Sequence, residues 1–391
     1  MTGDLRRRRL ALFAFFFIPG VALASWVTRT PAIRDGIDAS LAEMGLVLLG
    51  LSTGSMCGIL LAGMLVGRRG TRQVAISGTW LLLLGVAVMA AGTGLGLAPV
   101  VALGLCFFGL GMGAGEIAIN VEGAEVERLS GRPLMHALHG CFSLGTVFGA
   151  LAGTALARID LPVAWHLGLV AAAAAPPVLW FGRWIPEGTG LAAGRTKAGT
   201  APALRHDAYW RDPRLYLIGL VVLAVALAEG AANDWLPILM VDEHGFSPAI
   251  GSLVYLGFSA AMTLGRFAGG IFLRRHGPAA VMRVTAALCA TGLALVILAP
   301  VPALAAASVV LWGLGASLGF PIAISAAAAS GPNATGRVRT VTICGYIAFL
   351  VGPPLLGLIG ETYGLRMAML LVLALILAAA AVAGAVRPRA T

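Results

Sequence analysis

The segment LLAGMLVGRRGTRQ, residues 60–73, is apolar until a pair of arginines, and AGGIFLRRHGPAA, residues 268–280, has the same pattern. A shift of 207 residues places residues 45–70 on residues 252–277 without a gap. The shift aligns Gly50, Gly58, Gly63, Arg68 and Gly70 with Gly257, Gly265, Gly270, Arg275 and Gly277. The two series of glycines have the same spacing, and each series ends at a turn that contains arginine. This pattern indicates an internal duplication.

The composition is that of a membrane protein. Hydrophobic residues make up 59% of the 391 residues and charged residues only 11%, whereas a soluble domain has about 25% charged residues. A helix needs about 20 apolar residues to cross a bilayer, where backbone groups have no water to bond. The sequence therefore predicts an all-α integral membrane protein with 12 transmembrane helices. The spans are expected near residues 10–29, 41–66, 74–91, 99–120, 137–157, 165–184, 214–235, 250–273, 281–299, 304–327, 338–358 and 366–386.

The spans divide into two homologous six-helix bundles. The predicted domains are residues 1–184 and 214–391, joined by a cytoplasmic linker at 185–213 that is rich in Pro, Gly and Thr. The N-terminal segment, with four arginines and Val-Ala-Leu-Ala before Ser25, is similar to a secretory signal. We expect no cleavage there, because the duplication requires a first span.

The net charge of +10 follows membrane topology rather than nucleic-acid binding. Most basic residues lie near alternate span ends, which by the positive-inside rule places both termini in the cytoplasm of an inner-membrane protein. The five cysteines lie in predicted spans without metal-ligand spacing. We expect no cofactor, no metal and no nucleic-acid partner.

The loop after the second span resembles a known signature. GMLVGRRGTR, residues 63–72, is similar to the loop motif of the major facilitator superfamily, which matches at Gly63, Leu65, Arg68, Gly70 and Arg72. Gly67 stands where that family usually has an aspartate. The resemblance implies two parallel bundles that rock about a central site. It also implies a gating loop built from Gly63, Arg68, Arg69, Gly70 and Arg72, with Arg275 and Gly277 in the second half. An orientation signal alone is the alternative for the arginines.

Glycine stripes predict close helix contacts. The fourth span carries Gly109, Gly111, Gly113 and Gly115, and the fifth carries Gly145, Gly149 and Gly153. Small residues let helix backbones approach in lipid. We therefore assign both stripes to packing, with lining of a cavity as the alternative.

Ionisable residues inside spans are rare, because a charge at the bilayer centre costs roughly 2.5–3.5 kcal/mol. Glu116 and Asn120 lie one helical turn apart in the fourth span. Glu116, Ala118 and Asn120 match the Glu-x-Ala-x-Asn pattern of fucose:proton symporters, in which the glutamate is the protonation site. The resemblance implies proton coupling at Glu116 and solute contact at Asn120. The alternative is a structural hydrogen bond to a neighbouring helix.

The same symporters carry an aspartate in their first span, and this chain has only Trp26 and Thr28 there before Arg29. Sugar specificity is therefore not carried over. Residues 120–145 and 228–235 are more similar to a bacterial branch that includes a rhizopine permease-like carrier of inositol derivatives. Trp26 remains a candidate for solute contact.

The second concentration of polar residues is AEGAANDWLP, residues 228–237. Glu229 and Asn233 share a helical face, and Pro237 predicts a broken outer end of the seventh span. We expect Glu229 to couple protons or bind solute, with Asn233, Asp234 and Trp235 as further solute contacts. The alternative places Asp234 and Trp235 at the outer membrane interface.

Three other ionisable residues have two interpretations each. Arg266 either pairs with an intramembrane carboxylate or extends to the interface, and we favour extension to the interface. His136 and His139 either relay protons or form local hydrogen bonds, and local bonds are favoured.

The function predicted from these features is secondary active transport. The chain would move a small polar solute, sugar- or polyol-like, by proton symport as a monomer in contact with membrane lipid. Proton-driven multidrug or metabolite efflux is an alternative, although the fifth span lacks the Gly-Pro signature of such antiporters. A sensor or lipid-handling protein is a further alternative. The sequence has no nucleophile or nucleotide motif of an enzyme.

Overall fold

The computed structural model describes residues 3–131, 134–191, 211–331 and 333–387. Contacts divide the chain into two compact units, residues 1–197 and 198–391, here called unit 1 and unit 2. Unit 1 contains α1 (Gly3–Val27), α2 (Thr30–Gly36), α3 (Leu41–Leu95), α4 (Ala98–Ser130), α5 (Met135–Arg158) and α6 (Val163–Gly182). Unit 2 contains α7 (Pro213–Asp242), α8 (Pro248–His276), α9 (Pro278–Leu298), α10 (Pro302–Ala316), α11 (Gly319–Ala328), α12 (Ala334–Tyr363) and α13 (Leu365–Ala381). Residues 192–210, most of the predicted linker, lie outside the described residues, so the domain boundaries stay a prediction.

The predicted twelve spans are confirmed, and each predicted span overlaps one or two helices of the structure. In the described residues, ten helical segments are long and apolar enough to cross a membrane. One of them is α3, whose 55 residues include a kink at Gly70 and form two spans. Another runs from α10 through α11. The shorter apolar helix α13 completes the set of twelve.

The two arginine-containing turns of the repeat have the same backbone conformation. Gly70 divides α3 with φ 79° and ψ 165°, and Gly277 separates α8 from α9 with φ 75° and ψ 164°. A side chain makes this conformation unfavourable, which is why glycine stands at both positions. The alignment predicted from sequence is thus matched by the same backbone conformation 207 residues apart.

The glycines of α4 contact two different parts of α3. A Cβ on Gly113 would lie 2.6 Å from the Ser55 carbonyl oxygen, and one on Gly109 would overlap the Leu51 carbonyl. A Cβ on Gly111 would overlap the Gly78 carbonyl, beyond the kink. The two interleaved glycine pairs therefore hold both arms of α3 against α4.

The glycines of α5 pack against α1 in the same way. A Cβ on Gly145 would overlap the carbonyl oxygen of Phe17, and one on Gly149 that of Val21. In return, a Cβ on Gly20 of α1 would overlap the Phe142 carbonyl. The segment that is similar to a signal sequence is thus a helix packed inside unit 1.

One end of unit 1 is held by a buried carboxylate. Glu122 of α4 is fully buried, and it accepts hydrogen bonds from Arg8 Nε at 2.5 Å and from Thr71 Oγ1 at 2.6 Å. Thr189, which follows α6, accepts from Arg8 Nη2 at 3.2 Å and, through its carbonyl, from the Thr71 N–H at 2.8 Å. We call this cluster the Glu122 cluster. It joins α1, the kink of α3, α4 and the segment after α6.

Unit 2 has a buried cluster at the start of α7. Arg337 Nη1 donates to Asp212 Oδ2 and to Ser330 Oγ, both at 2.8 Å. Asp212 also accepts from the Arg214 N–H at 3.1 Å, and Arg214 Nε donates to the Ala385 carbonyl at 2.8 Å. This cluster joins the start of α7 to the start of α12 and the end of the described chain.

We expect Gly149→Ala to destabilise the protein. The added methyl group would overlap the Val21 carbonyl of α1, and overpacking of this kind costs about 1–3 kcal/mol. The control is Gly168→Ala in α6, where a Cβ would meet nothing within 4 Å and alanine is the better helix former. The Tm of the purified proteins in detergent measures the difference. Equal Tm values for the two variants would contradict the packing assignment.

We expect Glu122→Gln to lower Tm strongly, because Arg8 would keep its charge in a buried position without its carboxylate. Breaking a buried ion pair on one side costs about 3–5 kcal/mol. Glu125→Gln is the matched control on the same helix, since Glu125 pairs with an exposed Arg128 and exposed pairs contribute little. A Glu122→Gln protein as stable as the Glu125→Gln protein would show that the Glu122 cluster does not stabilise unit 1.

Candidate functional site

Glu116 is exposed in the middle of α4. Gly113, Ala114 and Gly115 before it are buried, as are Ala118 and Ile119 after it. The reason is local, because the glycines of α4 direct its other faces against the two arms of α3. The predicted carboxylate is therefore accessible from outside the packed interior of unit 1.

Asn120 lies one turn beyond Glu116 and is half-buried. Its Oδ1 atom is buried and has no hydrogen-bond partner in the described residues. Buried amide oxygens without partners are uncommon in proteins. Asn120 thus offers an acceptor one helical turn from Glu116.

Trp26 does not share that accessibility. Its side chain is buried in unit 1, and its ring meets Phe108 of α4 edge to face, with centroids 6.2 Å apart. This arrangement is typical of packed aromatic pairs. The structure therefore places Trp26 in the interior of unit 1, away from any exposed surface.

In unit 2, Glu229 of α7 pairs with Arg266 of α8. Arg266 Nη2 donates to Glu229 Oε1 at 3.0 Å, and the two side chains are 43% and 21% exposed, respectively. The expectation that Arg266 extends to the interface is wrong. The charges lie on adjacent packed helices, where pairing offsets the high cost of an isolated charge in the membrane.

Asn233 has a partner that the sequence analysis missed. The Tyr255 hydroxyl of α8 donates to Asn233 Oδ1 at 3.0 Å. Tyr255 also lies close enough to Glu229 and Asp234 for both carboxylates to act on its hydroxyl electrostatically. The tyrosine within the predicted eighth span was the available signal, since a buried phenol usually finds a hydrogen-bond partner.

The predicted break of the seventh span at Pro237 is wrong. The helix α7 runs without interruption to Asp242, with Pro237 inside it. Because proline has no N–H, the carbonyl of Asn233 loses the donor that a helix would otherwise supply. The interruption is confined to that one hydrogen bond, and the flanking residues Leu236 and Ile238 are fully buried.

Asp234 and Trp235 are both buried in unit 2. Trp235 has no exposed surface, and its Nε1 has no partner in the described residues. Trp235 is therefore neither an accessible aromatic platform for a solute nor a residue that faces lipid headgroups in this structure. Asp234 adds an acidic group to the interior near Tyr255.

The predicted gating residues lie at the ends of their spans. Gly63, Arg68, Arg69 and Arg275 are exposed, whereas Arg72 Nη1 binds Glu187 Oε1 at 2.7 Å. An open groove of about 820 Å³ runs beside the loop along α3, with Arg69, Arg72 and Trp80 among its walls. The loop is thus joined to the segment after α6 within unit 1.

Of the two histidines of α5, only His139 has a described side chain. The His139 ring meets Phe16 edge to face, with centroids 5.2 Å apart. The side chain of His136 lies outside the described part of the chain. His139 is exposed and touches α1 through this ring contact.

Comparison with known proteins agrees with this architecture. The sequence profile of the Major Facilitator Superfamily matches residues 10–342. The uncharacterized transporter y4wD of Sinorhizobium fredii is 31% identical over 363 residues, which cover 92% of this chain and 93% of the relative.

Solved structures have the same fold. A mutant of the nucleoside transporter NupG matches with TM-score 0.81 and 15% identity, over 97% of this chain and 99% of that chain. A mutant of the E. coli fucose:proton symporter FucP matches with TM-score 0.65 and 17% identity, over 97% and 98% of the two chains. At this identity the likeness concerns the fold, while the profile covers most of the sequence. The chain belongs to the major facilitator superfamily of transporters.

Proposed function

We propose that this chain is a proton-coupled carrier of a small polar solute, sugar- or polyol-like, in the inner membrane. The observation that carries the proposal is the exposed carboxylate of Glu116 in the middle of a helix whose neighbouring residues are buried. Acidic residues inside membrane spans serve as proton relays in pumps and transporters, because a carboxylate can take up and release a proton. Membership of a transporter family and the fold of FucP, a fucose:proton symporter, support this assignment.

The solute class is inferred from the hydrogen-bonding groups. Asn120 in unit 1 has an unpartnered buried oxygen, and Asn233 and Tyr255 in unit 2 form a polar pair. Amides and hydroxyls of this kind select solutes rich in hydroxyl groups. The fold neighbours transport a nucleoside and fucose, as their names state, and both are polar, hydroxyl-bearing molecules.

The driving force is sufficient for concentrative uptake. At ~150 mV, one proton's charge supplies ~3.5 kcal/mol, from ~2.3 kcal/mol per 100 mV, which permits roughly 300-fold accumulation. Protonation of Glu116 would neutralise an intramembrane charge that otherwise opposes reorientation of the two units. Both termini would be cytoplasmic, and the loops at Gly70 and Gly277 would act as gates at that surface.

We expect Glu116→Gln to abolish solute-driven proton uptake while solute binding remains. Proteoliposomes that contain a pH-sensitive dye are challenged with hexoses, polyols and nucleosides, and solute binding is measured by thermal shift. The wild-type protein should acidify the interior with its solute, and the variant should bind that solute without acidification. Glu43→Gln is the control, because Glu43 only caps α3 with Ser40 and glutamine can replace it there.

Undiminished proton uptake by the Glu116→Gln protein would overturn the coupling role. Loss of uptake in both Glu116→Gln and Glu43→Gln would show that the effect is not specific to the predicted proton carrier. A wild-type protein that acidifies vesicles with no member of the panel would contradict the proposed solute class.

The Glu229–Arg266 pair gives a second prediction. Arg266→Gln and Glu229→Gln should each lower Tm, because each leaves one charge without its partner, and the double variant should recover part of the loss. Contacting residues show coupling free energies of about 0.5–3 kcal/mol in double-mutant cycles. Transport should remain impaired in the double variant, because Glu229 is also expected to couple protons or to bind the solute. Additive Tm changes, or a double variant with wild-type transport, would refute this role.

A further inference from the structure

Arg29 is buried where α1 ends and α2 begins. The residue is 6% exposed. Arg29 Nη2 donates to the carbonyl oxygen of Leu161, in the connection between α5 and α6, at 2.6 Å. Nε and Nη1 are buried and have no hydrogen-bond partner in the described residues.

His166 lies in the first turn of α6, five residues after Leu161. The side chain is 1% exposed, and both ring nitrogens lack a partner in the described residues. A Cβ on Gly153 of α5 would overlap Thr28 Oγ1 and lie 3.7 Å from His166 Cε1. His166 is therefore next to the residue that precedes Arg29, and the charge of Arg29 acts on it.

The charge of Arg29 has no hydrogen-bonded counterion among the described residues. Asp160 acts on it electrostatically, but Asp160 is exposed and forms no hydrogen bond with it in the described structure. A guanidinium stays protonated in proteins, so an unpaired buried cation results, and such a charge is costly.

We propose that Arg29 and His166 form a binding site for one small anion, either a halide or a carboxylate group. The anion would accept hydrogen bonds from the guanidinium and from the protonated nitrogen of the imidazole. The start of α6, where His166 lies, adds the partial positive charge of a helix N-terminus, which favours anions. A bound anion would fasten the α1–α2 connection to the α5–α6 connection, at the opposite end of α1 from Arg8.

The site is tested by the anion dependence of stability. The Tm of the purified full-length protein is measured in detergent at constant ionic strength, with gluconate replaced stepwise by chloride, bromide or acetate. Gluconate is the reference anion because it is much larger than chloride, bromide or acetate. We expect a saturable rise of at least about 2 °C with the anion that binds, because ligands of the folded state raise Tm. A rise with chloride and bromide alone identifies a halide site, and a rise with acetate identifies a carboxylate site.

Arg29→Gln should remove this rise, and His166→Phe should weaken the apparent affinity for the anion about tenfold through loss of one hydrogen bond. Arg34→Gln is the matched control on α2, because Arg34 pairs with Asp35 at the surface, and it should keep the wild-type rise. If Arg29→Gln does not fold, the His166→Phe titration and the anomalous scattering of bromide in crystals test the same site. An absence of any Tm rise in the wild-type protein, an equal rise in the wild-type and both site variants, or bromide located away from Arg29, would overturn the proposal.

Discussion

Backbone contact at glycine is the interaction on which both units depend. In a bilayer, moving an apolar side chain from lipid to a helix interface contributes little free energy, because both environments are apolar. Helices are therefore held together by van der Waals contact and by the few polar groups between them. The glycines of α4 bring carbonyl groups of both arms of α3 to a distance that a methyl group would not permit. Loss of one such contact moves a whole helix, because the helices are rigid and closely packed.

The same device recurs in unit 2 with the same assignment of faces. Gly313 of α10 packs against Phe258 of α8, and Gly315 packs against Cys289 of α9. In unit 1 the corresponding faces of α4 meet the two arms of α3, which are the second and third spans. In each half, the fourth span thus carries glycines spaced two residues apart that contact two partners. This arrangement leaves one face of α4 free of close packing, and Glu116 occupies it.

The elements with local signals were predictable. Apolar length gave the twelve spans, and glycine spacing gave the repeat and the packing faces, because both properties are read along one helix. The partners of polar side chains were not predictable in the same way. Arg266 and Glu229 are 37 residues apart, and Tyr255 and Asn233 are 22 apart. These contacts depend on how α7 packs against α8, and no sequence pattern within either helix predicts that packing.

Pro237 shows a related limit of local signals. Proline in the interior of a soluble helix removes a hydrogen bond and usually bends or ends the helix. In α7 the flanking residues Leu236 and Ile238 are fully buried, so packing keeps the helix continuous across the missing bond. The cost is confined to the carbonyl of Asn233, whose side chain is already held by Tyr255. A strong local signal was therefore overridden by tertiary contacts.

The charged clusters explain why the repeat is clearer in the glycines than in the buried charged residues. In unit 1 the buried carboxylate of Glu122 receives Arg8, near the start of the first span, and in unit 2 the buried Arg337 receives Asp212, at the start of the seventh. The start of the first span supplies the base in unit 1, whereas the start of the seventh supplies the acid in unit 2, and the partners lie on the fourth and the eleventh spans. An ion pair needs only opposite charges in contact, so either arrangement can join the start of a bundle to its other helices. The turns at Gly70 and Gly277 have no such freedom, because their backbone conformation is open to glycine and strained for other residues. Sequence therefore retains the glycines, while the charges that serve the same structural purpose diverge.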